Sequence, residues 1–134
     1  MKSFLSLTCI VTLFMFATCK KEAATPGKEY IPVNQCQSYY ADSITCCLDS
    51  VLQDSRCPVN AICVWQGIAV ARFKVKAPGT AHTITLATWK FQSYLKDTTV
   101  SGFKIEFVNL NGQNNATKPF GYNDYVAEVK VTRQ

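Results

Sequence analysis

The residues able to do unusual chemistry crowd into one stretch, positions 54–67, D-S-R-C-P-V-N-A-I-C-V-W-Q-G. Cys57 and Cys63 lie six positions apart, with Pro58 just inside the first and Trp65 two beyond the second. A disulfide between them closes a small ring, and the chain-entropy model gives about 2 kcal/mol of stabilisation for one so short. Pro58 fixes one backbone angle inside the ring and lowers the freedom of the unfolded chain further. Asp54 and Arg56 share a face in an extended chain and can pair across Ser55, for about 0 to 1 kcal/mol if exposed. The ring itself offers Val59, Asn60, Ala61 and Ile62, none of which is a catalytic group. Their chemistry is recognition. The sharper reading is a rigid loop presented to a partner, as in a protease inhibitor or a ligand-binding protein. The plainer one, which the residue pattern favours, is a stapled corner between two strands.

This stretch resembles a segment of short lipoproteins and secreted proteins of Gram-negative bacteria, in which D-S-R-C-P, a few residues and then C-x-W-x-G precede a β-strand. The specific likeness covers only residues 54–67, although the strand-rich layout after it is also similar. The resemblance implies a class and a cellular address and no activity.

The N-terminus carries its own address. Lys2 is followed by an almost wholly apolar run over residues 4–16, interrupted mildly by Ser6 and Thr8. That run is short for a bilayer span and reads as a secretory signal, residues 1–18. Phe16-Ala17-Thr18 before Cys19 resembles a permissive bacterial lipobox. By that resemblance Cys19 is the lipidated first residue of the mature chain. Several acyl chains, at about 0.8 kcal/mol per buried methylene, hold a protein on a membrane without a spanning helix. Lys20, rather than an aspartate, follows Cys19 and points to the outer membrane, with the domain either periplasmic or surface-exposed. Residues 19–35, charged, small and proline-bearing, are expected to form a flexible tether.

Removing the 18 signal residues leaves 116, enough for one domain with a real core, here residues 36–134. The formal charge falls from +5 to +4 as Lys2 leaves, and the remaining basic residues are scattered without aromatic interleaving. No nucleic-acid partner is expected. Of seven cysteines, Cys9 leaves with the signal and Cys19 is committed to lipid. Five remain in what is expected to be an oxidising compartment, so one thiol is left over. Cys57 with Cys63 is the expected bond; Cys36 with one of Cys46 and Cys47 is the possible second. Neighbouring strand residues point to opposite faces. Ile44, Cys46 and Leu48 share the apolar parity, so Cys46 is the better buried free thiol and Cys47 the better partner for Cys36. No metal site or cofactor is expected, because the spacings do not suit zinc and His82 is the only histidine.

The elements that must position the loop read as strands. Residues 43–52 lead into it and residues 63–76 leave it, with Cys63, Trp65, Gly67, Ala69, Ala71, Phe73 and Val75 on one parity, which sends Trp65 inward beside the disulfide. A short strand is expected at 37–41. Ala77-Pro78-Gly79 is a stop and turn. Residues 80–89 alternate again, with His82 on the parity of Ile84 as a half-buried structural histidine. An edge strand at 91–95 and a polar turn at Lys96-Asp97-Thr98 follow. Phe103, Ile105 and Phe107 point inward against Lys104 and Glu106, and Tyr125, Ala127, Val129 and Val131 alternate with Val126, Glu128 and Lys130. Between these strands a long loop carries Asn115-Ala116-Thr117, a surface marker.

About six to eight short alternating strands predict an all-β antiparallel sandwich. One histidine and scattered carboxylates assemble no catalytic constellation, so no enzyme is expected. The functional expectation is a lipid-anchored cell-envelope protein, attached to the membrane and acting as an interaction or structural module, possible partners being other envelope or extracellular proteins. The alternative is an inhibitor or ligand-binding protein presenting the Cys57–Cys63 loop. Three outcomes discriminate: an exposed patch of Tyr40, Tyr94 and Tyr122 for carbohydrate or protein binding, an outward Ile62 for the inhibitor, and a cleft joining His82 to Asp124 or Glu128 for an enzyme.

Overall fold

The structure, a computed structural model, describes residues 28–112 and 121–134. The signal, Cys19, the tether up to residue 27 and the sequon at Asn115 lie outside the described residues. Among those described, eight strands follow in order: β1 (Lys28–Pro32), β2 (Cys36–Tyr39), β3 (Ile44–Asp54), β4 (Ala69–Ala77), β5 (Thr80–Ala87), β6 (Asp97–Val100), β7 (Phe103–Asn111) and β8 (Val126–Arg133). They pair antiparallel into two four-stranded sheets, β1-β8-β7-β6 and β2-β3-β4-β5. The chain is an antiparallel β-sandwich, as its alternation predicts.

Period-two patterning builds the core directly. Ile44, Cys46 and Leu48 of β3 and Ala71, Phe73 and Val75 of β4 are buried in one cluster with Ile105 and Phe107 of β7 and Ala127, Val129 and Val131 of β8. The Phe73 and Phe107 rings meet edge to face, 5.2 Å between centroids, a geometry that suits the ring quadrupole. Each such side chain contributes about 1.5–3 kcal/mol by leaving water. Cys36 and Cys47 stand directly opposite each other in the β2–β3 ladder and are bonded. Cys46 points the other way, free and buried in the core, and burial pushes its thiol up to about 12.

Several expectations need correction. The end of the expected tether is strand, because Lys28–Pro32 pairs with β8 and buries Ile31 and, just beyond, Val33. Glu128, read as outward, is buried, and the Lys28 ammonium lies 2.9 Å from its carboxylate. The expected polar turn at 96–98 runs into β6, which buries Val100 and ties Asp97 to Lys104. Residues 91–95 contribute isolated bridges rather than a full strand. His82 is exposed rather than half-buried, since residues 80–83 of the edge strand β5 are all exposed.

The sandwich has two distinct ends. At one, Asp54 and Ala69 close the β3–β4 ladder, and a hydrogen bond from the Tyr125 hydroxyl to Asp54 (3.1 Å) joins them to the start of β8. At the other, Thr80 meets Ser101 at 3.3 Å and the Tyr40 hydroxyl donates to the Val131 carbonyl. β1 runs from Lys28, opposite Lys130, to Pro32, opposite Val126. The chain therefore enters the domain from the second end and runs toward the first, where the loop at 55–68 projects.

Candidate functional site

The loop stands on a braced base, and each brace uses a residue of the D-S-R-C-P and C-x-W-x-G segments. Asp54 Oδ1 accepts from Arg56 Nε at 2.8 Å and Oδ2 from Arg56 Nη2 at 2.7 Å. The Arg56 backbone N–H adds a third bond to this carboxylate at 3.2 Å. Arg56 also donates from Nη1 to the Leu110 carbonyl and from Nη2 to that of Gly112 (3.4 Å), reaching across to the end of β7. The two charged side chains are only 10% and 12% exposed. The pair, worth little had it been exposed, is a half-buried fork that ties the two sheets together. Burial pushes the Asp54 carboxyl up, but the Arg56 hydrogen bonds and charge outweigh it, aided by the Tyr125 hydroxyl. The net effect holds the group below the ordinary carboxylate range.

The two arms of the loop are zipped together above that fork. Ser55 N–H donates to the Ile68 carbonyl at 2.9 Å, and Ile68 N–H returns a bond to Ser55 Oγ at 3.1 Å. Gly67 lies so close to the opposite arm that a Cβ there would collide with the Ser55 carbonyl and the Arg56 Cα. Glycine is required for that approach. Trp89 caps the base from the other side, its indole N–H donating to the Gly67 carbonyl at 3.2 Å.

Trp65 is not where continuous parity would send it. β4 begins only at Ala69, and the backbone bends at residues 64–65, so the alternation read back from Phe73 is broken before it reaches the indole. Trp65 is 61% exposed and holds on by one hydrogen bond from Nε1 to the Ser55 carbonyl, 3.3 Å. The inward parity holds from Ala69 through Ala71 and Phe73 in the main core, while Ile68, Val70 and Ala87 form a second, separate cluster with Trp89 and Tyr94 packed against them. Sequence reasoning missed Trp89; its closeness to the end of an alternating strand was the available signal.

The tip is stapled by Cys57–Cys63, with Cα atoms 5.9 Å apart, and tightened by a turn in which Ala61 N–H donates to the Pro58 carbonyl at 3.1 Å. Of the four tip residues singled out from sequence, Val59, Asn60, Ala61 and Ile62 are all exposed. Ile62 and Val64 are 103% and 98% exposed, and Val59 and Trp65 flank them. Residues 57–68 include no charged side chain. What the arrangement offers is a rigid, uncharged, apolar projection.

The other candidate groupings do not assemble. His82 lies on edge strand β5 of one sheet, whereas Glu128 is paired with Lys28 in the other and Asp124 accepts the Gly121 N–H at 2.8 Å. Tyr40 is bonded to Val131 and Arg133 at the end away from the loop. Tyr122, by contrast, accepts from the Val51 N–H near the loop base. The three tyrosines therefore form no common patch. Among the described residues, no three of the His, Cys, Asp and Glu side chains lie together as metal ligands would. Comparison with protein-family models, with curated proteins and with solved structures gives no match to this chain.

Proposed function

We propose that this chain is a lipid-anchored cell-envelope protein whose stapled loop is a docking surface for another envelope or extracellular protein. The observation that carries the reading is the exposure of Ile62 and Val64 on a loop whose base is locked by a half-buried ion pair, a zipped pair of arms and a disulfide. Side chains of this kind contribute about 1.5–3 kcal/mol each when a partner buries them. A loop already held in shape loses little conformational entropy on binding, which leaves more of that gain as affinity.

The anchor rests on the sequence, through the apolar run and Cys19, and two disulfides suit an oxidising compartment. A tether from Cys19 to Lys28 reaches about 30 Å when extended. That β1 starts away from the loop end supports a loop turned from the anchoring membrane.

The test has two arms. Mass spectrometry of the mature N-terminus is expected to find Cys19 diacylated or triacylated, and an unmodified Cys19 contradicts the anchor. Co-purification in mild detergent is expected to bring down one partner protein with the wild type and to lose it with Ile62→Ser and Val64→Ser combined, at unchanged melting temperature. A partner held equally by both chains contradicts the docking loop.

A further inference from the structure

We infer that the partner is an endopeptidase, and that residues 61–64 occupy its active-site cleft as a substrate-like inhibitor. This rests on the docking reading above and names the class of protein docked. Three features lead there together. First, Ile62 and Val64 sit at alternate positions, Val64 where the backbone begins to bend, and both point fully into solvent, the spacing at which a peptide extended up to its second anchor fills successive pockets on one side. Second, the backbone N–H and C=O groups of Ile62, Cys63 and Val64 make no hydrogen bond among the described residues. They are free for the main-chain pairing by which a cleft captures an extended segment. Third, Cys63, the residue between the two projecting side chains, is bonded to Cys57.

That third feature separates an inhibitor from an ordinary substrate. A substrate loop must be ordered as it binds, whereas this one is held beforehand by the staple, the Asp54–Arg56 fork and the close approach at Gly67. The pocket it fits is set by side-chain chemistry. Isoleucine and valine suit a small aliphatic primary pocket of the elastase type and leave unsatisfied the acidic pocket of a trypsin-type enzyme. A membrane surface is the less suitable occupant, because the loop projects from the end opposite the one by which the chain enters the domain.

The experiment uses the full chain in detergent micelles against two purified serine endopeptidases, one of elastase type and trypsin as its counterpart. Competitive, reversible inhibition of the elastase-type enzyme is expected, with the chain still intact after prolonged incubation. Ile62→Asp with Val64→Asp is expected to weaken it by about 100-fold or more, as for loss of central anchors. Ile62→Arg or Val64→Arg is expected to transfer inhibition to trypsin, and the variant that does so identifies the residue in the primary pocket. A merely structural role for either residue cannot produce that gain.

Rapid cleavage within residues 61–65, or no inhibition together with no gain in either arginine variant, overturns the inference. So does self-association, or binding to phosphatidylethanolamine–phosphatidylglycerol vesicles, that replaces inhibition and is lost with Ile62→Ser. If co-purification still depends on Ile62 and Val64 while both enzymes run uninhibited, docking stands and the peptidase is wrong. If that dependence is also missing, docking itself has failed.

Discussion

Arg56→Ala removes the guanidinium from the base of the loop and leaves everything else in place. Asp54 then loses its bonds from Nε and Nη2, and the carbonyls of Leu110 and Gly112 lose a donor each. Only the Arg56 backbone N–H and the Tyr125 hydroxyl remain on a carboxylate that is 12% exposed. Breaking a fully buried pair from one side costs about 3–5 kcal/mol, and this half-buried one belongs at the lower end, about 3 kcal/mol, because the surviving charge is only partly returned to water. In a domain of this size about 3 kcal/mol lowers the melting temperature by at least about 12 °C. Replacing both partners with apolar residues, Asp54→Leu with Arg56→Met, leaves no orphan charge and is expected to cost less than Arg56→Ala alone. The assay is urea and thermal unfolding with the disulfides intact. Its pH dependence supplies a second check. The folded-state pKa of Asp54 is depressed, so its contribution is present above the ordinary value of 3.8 and is lost as pH falls through the depressed value. The acid destabilisation should shrink in Arg56→Ala. A loss below about 1 kcal/mol, the range of an exposed pair, refutes a bracing role for the fork.

Other outcomes follow from the same geometry. Trp65→Ala, which an inward indole would make costly, is expected to lose only about 1 kcal/mol, the worth of its bond to Ser55. Phe73→Ala should lose about 3–5 kcal/mol by equilibrium unfolding, because it opens a cavity against Phe107. Tyr39 buries a hydroxyl with no partner among the described residues, so Tyr39→Phe should melt at the same temperature or higher. Cys46, its thiol pushed up by burial to about 12, should resist alkylation at pH 8 until the chain is unfolded, which a mass-shift assay reads directly.

How much of this was legible in the sequence depended on whether a side chain's fate was decided by its own strand. In β7, Phe103, Ile105 and Phe107 against Lys104 and Glu106 required only the pleat, and the adjacent pair Cys46-Cys47 was sorted by the same rule. Trp65 was misplaced because parity holds only within an unbroken strand, and nothing local announces the bend at residues 64–65. The zipped arms at Ser55 and Ile68 and the close approach at Gly67 became visible only with both arms in view. β1 was hidden for a related reason. Its five residues, K-E-Y-I-P, carry two charges and a proline and fully bury only Ile31, so its strand character comes from β8 beside it. Glu128 was read outward by alternation, and only the neighbouring Lys28 explains how a carboxylate is tolerated there.

The central claim, that the loop is a presented docking surface rather than a corner, is tested most directly by site-specific photo-crosslinking in intact cells. A photoreactive residue replaces Ile62 in one strain, Val64 in a second and, as control, the exposed Thr83 of β5 in a third. The account predicts one discrete crosslinked protein shared by positions 62 and 64 and absent from position 83. Crosslinks equally strong from all three positions, or none from 62 and 64 in a chain that is folded and exported, would contradict it.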